Sequence, residues 1–139
     1  MAKTFSSKKV QVIFANQRLT GFADGDFVSA EMNSDAFALV KGADGEGARA
    51  ASADDSGKVT LTFLQTSIAN DILSAALAAD RLSEAGASPL LIKDLSGRTL
   101  VESPEAWVMK SASVDLGKEV KGREWVIECD VLKMVVGGN

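Results

Sequence analysis

Residues 58–86 have the sequence KVTLTFLQTSIANDILSAALAADRLSEAG and contain the clearest change of periodicity in the chain. The first seven positions alternate between polar and apolar residues, which is the pattern of a β-strand. From Ser67 onward the apolar residues recur at helical spacing, and Ser67 and Gly86 are suitable residues for the start and the stop of a helix. The positions that we expect to face the sheet are Ile68, Ile72, Ala75, Ala76, Ala79 and Leu82.

Period-two segments dominate the chain on both sides of this helix, and the longest of them is expected at the end. They predict strands at residues 9–15, 18–20, 27–32, 36–41, 58–64, 90–94, 99–101, 106–110, 113–116 and 123–136. An order of strands, one helix and further strands predicts a mainly β (α+β) fold, either a β-barrel or a sandwich with one flanking α-helix. A chain of 139 residues has the length of a single domain, which we place at residues 1–139.

Residues 42–57 interrupt the strand pattern with a run rich in glycine, alanine, aspartate and serine. The run has no large apolar side chain. Its backbone can form a long hairpin, in which residues 47–53 are the one candidate strand. Loops of this length in a compact domain are usually functional or disordered, so we expect a mobile loop at the surface or at an interface.

The composition offers little for catalysis. The chain has no His and no Tyr, which removes the commonest general base and the commonest transition-metal ligand. Cys129 alternates with Trp125, Ile127 and Val131, so we expect it on an apolar face as a small hydrophobic residue rather than as a nucleophile. The glycines of residues 42–47 are not followed by the Lys and Ser/Thr of a phosphate-binding loop.

Three pairs of acidic residues are the remaining candidates for a metal site, namely Asp24 with Asp26, Asp44 with Glu46, and Asp54 with Asp55. None of them has the spacing of an EF-hand loop with its distal Glu. We expect them to be solvated carboxylates, and we predict no catalytic residue, no metal and no cofactor.

The charge distribution bears on possible partners. The net charge is −4, and the densest basic stretch, Lys118, Lys121 and Arg123, is interrupted by Glu119 and Glu124. Tight binding to nucleic acid normally needs a continuous basic surface, so we do not expect it. No apolar run has the length of a membrane span, and no signal peptide is evident. A single Cys cannot form an internal disulfide, which fits a reducing cytoplasm during folding.

Seven segments, taken in order, resemble one known family. They are residues 20–27 (TGFADGDF), 35–37 (DAF), 40–46 (VKGADGE), 64–73 (LQTSIANDIL), 89–94 (PLLIKD), 123–127 (REWVI) and 136–139 (VGGN). The chain resembles the tail tube proteins of contractile-tailed bacteriophages over nearly its whole length. These proteins are in turn similar to the tube subunits of type VI secretion.

The resemblance implies a structural protein of the virion tail that would be made in the host cytoplasm. Proteins of this family form hexameric rings whose strands merge into one β-barrel around a channel, with a helix outside. Stacked rings make a hollow conduit for DNA during injection. The implied partners are further copies of the chain, the tail sheath, the tape measure protein and the baseplate, and DNA passes without specific binding.

The resemblance also leads to hypotheses about sites. Residues 27–41 and 58–64 are expected to line the channel, and Glu31 and Asp35 are expected to face its lumen. The acidic balance would keep the channel wall negative, so that DNA slides without adhering. The loop at 42–57 is expected to reach a neighbouring ring or subunit. Its interface residues would be Gly42, Asp44, Gly45, Glu46, Gly47, Arg49, Asp54 and Asp55.

Three other interpretations stay open from the sequence. The chain could be a tube-capping or baseplate protein with the same fold, which would not form long tubes alone. It could be a small ligand-binding β-barrel, which would need an apolar cavity and would stay monomeric. An enzyme that uses carboxylates alone is the third, and no pair of carboxylates is marked out for that role.

Overall fold

Ten strands and one α-helix make up residues 2–138, the part of the chain that the computed structural model describes. A short 3₁₀ turn at Ser7–Lys9 precedes the first strand. The helix α1, Ala69–Ser83, lies between the sixth and seventh strands. The strands are β1 Val10–Phe14, β2 Gln17–Leu19, β3 Val28–Met32, β4 Phe37–Lys41, β5 Gly47–Ala51, β6 Gly57–Leu64, β7 Ser88–Asp94, β8 Leu100–Lys110, β9 Gly122–Cys129 and β10 Lys133–Val135.

Eight of the strands form one antiparallel sheet that curls round on itself. The order is β2-β1-β7-β8-β9-β6-β3, with β10 paired to β8. The chain after β2 crosses to the far end of this order, where the Leu64 amide donates to the Gly21 carbonyl (2.8 Å) and the Ala23 amide donates to the Thr62 carbonyl (3.0 Å). Buried side chains of β1 and β2, at one end of this order, belong to the same hydrophobic cluster as those of β6 near the other end, so the sheet wraps around a common core as a barrel. The predicted mainly β fold with one helix is confirmed. The strands β4 and β5 stand apart as a two-stranded sheet.

One hydrophobic cluster fills the barrel. Its buried members come from six strands of the main sheet and from α1, and alternate positions of β6 and β9 supply its centre. The fully or almost fully buried members include Phe14, Leu61, Phe63, Leu73 and Ile127. Small barrels are commonly filled in this way by inward side chains.

The helix is attached to the barrel by a polar contact as well as by packing. Trp125, which is 3% exposed, donates from its indole Nε1 to the side-chain oxygen of Asn70 (3.0 Å). The Asn70 amide nitrogen in turn donates to the carbonyls of Leu64 (2.9 Å) and Ser67 (3.1 Å). One side chain at the start of α1 thus satisfies a buried indole and backbone groups of the preceding turn.

We expect the substitution Asn70→Ala to lower the free energy of unfolding by about 1–3 kcal/mol, because it leaves the buried Trp125 N–H without an acceptor. Urea denaturation followed by tryptophan fluorescence would measure this. The matched control is Ser74→Ala at an exposed position of the same helix, which should change the free energy by less than about 0.5 kcal/mol. Equal effects of the two substitutions would contradict this role of Asn70.

Two predictions about α1 need correction. The helix ends at Ser83, before Gly86, because Glu84 adopts a left-handed conformation (φ 57°) and its amide donates back to the Asp80 carbonyl. Its buried residues are Ala69 and Leu73, whereas Ile68 and Leu82, which we expected to face the sheet, are 65% and 89% exposed. The alanine-rich sequence has apolar residues on more than one side, so spacing alone did not select the packed side.

The C-terminal half departs from prediction at two places. Residues 123–136 form two strands, β9 and β10, separated at residues 130–132, and both lie along the same edge of β8. They share one register as far as Val108, where a bulge shifts the pairing of β9. The predicted strand at 113–116 is absent from the described structure, which has an irregular segment at residues 111–121.

Candidate assembly surface

The predicted loop at 42–57 is largely a projecting hairpin, which we call the arm and define as β4, β5 and the turn between them (residues 37–51). Its strands pair from Phe37 opposite Ala51 to Lys41 opposite Gly47. The turn is closed by the Gly42 amide, which donates to the Glu46 carbonyl (2.7 Å), and Gly45 has a positive φ of 89° that suits glycine. All ten strand residues of the arm are exposed.

The arm presents apolar side chains on both of its faces. Phe37 and Leu39, which are 53% and 72% exposed, share one face with Lys41 and Arg49. The Arg49 guanidinium lies 4.3 Å from the centre of the Phe37 ring. The opposite face is formed by Ala38, Val40, Ala48 and Ala50. A two-stranded hairpin on its own is marginal in water, and exposed apolar clusters of this kind mark interaction sites.

A group of polar residues, which we call the clasp, ties the base of the arm to the barrel. It consists of Asn33, Ser34, Asp54, Ser56 and Glu128. The Asn33 side chain donates to Glu128 Oε1 (2.8 Å) and to the Ser56 hydroxyl (2.9 Å). The Asp54 carboxylate accepts from the Ser34 hydroxyl (2.6 Å) and from both the amide and hydroxyl of Ser56. The two chain segments that carry the arm are therefore held to each other and to β9.

These hydrogen bonds, first that from Ser34 and then those from Ser56, hold the pKa of the Asp54 carboxyl at about 2, below its ordinary value of 3.8. Because the pKa is lowered on folding, the contribution of Asp54 is present above pH 3.8 and is lost as the pH falls toward 2. We expect a carboxyl-carbon NMR titration of Asp54 to have its midpoint near 2.

The substitution Ser34→Ala removes the main cause of this shift, so we expect it to move the Asp54 midpoint upward toward 3.8. The matched control is Ser29→Ala, an exposed serine on β3 that lies outside the clasp. An Asp54 midpoint that is the same in wild type and in Ser34→Ala would contradict the assigned hydrogen bond.

A polar surface with an acidic balance covers the outward side of β3, β6 and β9, and we call it the outer face. Its central cross-strand row is Glu31, Lys58 and Glu128, and Glu124 adds a third carboxylate. The rest of this face is formed by Ser29, Thr60 and Thr62, with two apolar side chains, Val126 and the exposed Leu64. The free edge of β3 lies beside it, because β3 pairs with β6 alone among the named strands of residues 2–138.

The structure separates the site residues that we predicted from sequence into three places. Gly42, Asp44, Gly45, Glu46 and Gly47 cluster at the tip of the arm. Arg49 lies midway along β5, opposite Leu39. Asp54 and Asp55 lie at the base, where Asp54 belongs to the clasp and the Asp55 carbonyl accepts from the Leu132 amide (2.8 Å). The base is thus a different environment from the tip.

The two residues expected to face the lumen also lie apart from each other. Glu31 is on the outer face, opposite Lys58. Asp35 is exposed in the link between β3 and the arm. The sequence reasoning did not identify the exposed pair Phe37 and Leu39, although their alternation with Ala38 and Val40 was visible, because alternation does not tell which side of a strand is covered.

The remaining candidates for catalysis or metal binding were Cys129 and the acidic side chains. Cys129 is buried in the core, and burial raises the pKa of its thiol. Its Sγ is in hydrogen-bond contact with Ser103. Among residues 2–138 no group of three or more His, Cys, Asp or Glu side chains is placed to hold a metal ion. The described chain also contains no helix with the length and apolar character that a membrane crossing requires.

The fold is shared with tube and tube-end proteins of contractile injection systems, although the sequences differ. One is the sheath/tube terminator of the extracellular contractile injection system PVC, with a TM-score of 0.66, 14% identity and coverage of 97% of this chain and 99% of that chain. A chain of the PVC sheath-tube complex has a TM-score of 0.64 at 14% identity, covering 95% and 91%. The anti-feeding prophage cap has 0.59 at 12% identity, covering 97% and 93%.

Comparison of sequences identifies the family. Residues 11–137 match the model of the bacteriophage PhiTE tail tube protein family. The chain is also 35% identical over 123 residues to structural protein ORF10 of Pseudomonas phage KPP10, which covers 87% of this chain and 71% of that protein. The chain therefore belongs to the PhiTE tail tube protein family, as the resemblance predicted, and is a structural component of the virion tail.

Proposed function

We propose that this chain forms hexameric rings that stack into a hollow tail tube, through which DNA passes during injection. The observation that carries the proposal is the arm, an exposed apolar hairpin on a subunit whose own core is already complete. An exposed hairpin with apolar residues on both faces gains stability when another copy covers it. The filled barrel supports a role as a building block, without enzymatic activity and with the whole chain acting as one unit.

The outer face is our candidate for the channel wall. Three carboxylates and one lysine give it an acidic balance, and its serine and threonine side chains suit contact with water. A wall of this charge would repel the DNA phosphates, so DNA would move without specific binding. In this arrangement Glu31 faces the lumen, and Asp35 lies where the arm leaves the wall.

The arm is our candidate for the contact between subunits. Phe37 and Leu39 would supply the buried apolar area, and Arg49 would supply a charge that selects the partner surface. The tip residues Gly42, Asp44, Gly45, Glu46 and Gly47 would extend to the next ring. The clasp would keep the base of the arm in one orientation, so that the arm loses less conformational freedom at assembly.

Other partners follow from the role of a tube. The outside of the tube would contact the tail sheath, the tape measure protein would lie within it, and the baseplate would hold one end. Assembly would take place in the host cytoplasm.

A second candidate function is that of a tube terminator, which ends a tube and does not extend it. The observation in its favour is the fold shared with the PVC terminator and with the anti-feeding prophage cap. A terminator would form single rings, because it needs only one stacking surface.

Electron microscopy of negatively stained protein at rising concentration, combined with light scattering, tests the two functions. Tubes whose length increases with concentration are expected for the tube subunit. Single rings at every concentration would favour the terminator, and a strict monomer that also fails to add to preformed tubes would contradict both.

A further inference from the structure

β1, β7 and β8 form an apolar groove of about 560 Å³. One end of the groove lies near the base of the arm, because Lys133, which lines the groove, follows Leu132, whose amide donates to the Asp55 carbonyl. No residue of the arm lines the groove. Its lining includes Ile13, Pro89, Leu91, Pro104, Glu102 and Lys133.

The groove carries apolar and acidic side chains that complement the apolar and cationic face of the arm. Ile13, Leu91 and Glu102 lie in one cross-strand row, with Lys133 next to Glu102. Isoleucine, leucine and proline give the groove apolar walls, and Glu102 places an exposed carboxylate beside them. The arm face formed by Phe37 and Leu39 carries the opposite pattern, with a large apolar surface and the cation of Arg49 next to it.

We propose that this groove receives the Phe37 and Leu39 face of the arm from a second copy of the chain, with Arg49 of that copy placed against Glu102. The inference rests on the proposed function and adds to it the surface on which the arm docks. The occupant is a second copy because no residue of the arm lines the groove of its own subunit, all ten strand residues of the arm are exposed, and the clasp fixes the base of the arm in that position.

The geometry also determines the kind of assembly. Arm and groove are different surfaces of the subunit, so their contact is heterologous. Contacts of that kind close into rings or, where the rotation does not close, extend as filaments with one free arm and one free groove at the ends, whereas a self-complementary contact stops at a dimer.

Exchange of charges tests the proposed pair. We expect Arg49→Glu and Glu102→Arg each to raise the protein concentration needed for assembly by at least about tenfold, because each places like charges together at the contact. The double variant restores opposite charges, so its assembly should return to within about threefold of wild type. Glu119→Arg is the control for charge, since Glu119 is exposed in the segment at 111–121 outside the groove.

A second measurement tests the same contact without changing its charges. A variant with Leu39→Cys and Leu91→Cys should form disulfide-linked chains of subunits under mild oxidation of assembled protein, because the buried native Cys129 does not compete. The control pair is Leu39→Cys with Lys58→Cys on the outer face, which should not form them. Thermal melting of each variant verifies that the subunit is folded.

The outcomes separate this inference from the proposed function. Loss of growth on removal of the arm, together with normal assembly of Glu102→Arg and no cross-link from Leu39→Cys to Leu91→Cys, would overturn the groove as the docking surface and leave the tube function standing. Normal growth without the arm would overturn both. Rescue by the double charge variant together with the specific cross-link supports the groove.

Discussion

Replacement of the arm, residues 37–51, by a two-glycine linker is expected to abolish tube growth and to leave a folded subunit. No residue of the arm belongs to the core, so the barrel should keep its melting temperature within a few degrees. A short linker suffices because the Ser52 amide donates to the Ala36 carbonyl (2.8 Å), which places the two ends side by side. Light scattering would measure growth, and circular dichroism would verify the fold.

The control for this experiment inserts two glycines after Ser113, in the irregular segment at 111–121, which changes a loop and keeps the arm. Its growth should equal that of wild type. Deletion of residues 44–55 is a less suitable variant, because it also removes Asp54 and so disrupts the clasp. Tubes of normal length from the variant without an arm would show that the arm is not the assembly contact.

Truncation of a core side chain is expected to have the largest effect on stability. Leu61 is fully buried in the centre of β6 and lies opposite Val28 on one side and Trp125 on the other. Because Leu61→Ala removes buried apolar area and leaves a cavity among packed strands, we expect the free energy of unfolding to fall by about 3–4 kcal/mol.

Leu82→Ala provides the matched comparison, since Leu82 is 89% exposed at the end of α1. The same chemical change there should alter the free energy of unfolding by less than about 0.5 kcal/mol. Urea denaturation of both variants measures the difference. A loss at Leu82 equal to that at Leu61 would mean that the C-terminal part of α1 is packed and not exposed.

The strands of the barrel could be predicted where one side faces the core and the other faces water. β1 and β6 are examples, because burial on one side leaves a period of two in the sequence. The break between β9 and β10 could not be predicted in this way. Apolar and polar residues continue through residues 130–132, so the sequence pattern contains no sign of the interruption.

The candidate site was predictable only in outline. Glycine and small residues indicated that residues 42–57 form an unusual surface element, and the family resemblance indicated assembly. The clasp depends on a contact between Asn33 and Glu128, which are 95 positions apart, so no local pattern could reveal it. The groove likewise arises from strands β1, β7 and β8, whose residues are adjacent only after folding.

Hydrogen exchange of the arm amides, compared between free subunits and assembled protein, tests the central claim most directly. The claim is that the exposed arm becomes covered by another copy of the chain. We expect the amides of residues 37–51 to exchange at least about tenfold more slowly after assembly, since covered hydrogen bonds open less often. Equal exchange of these amides in the two states would contradict the claim.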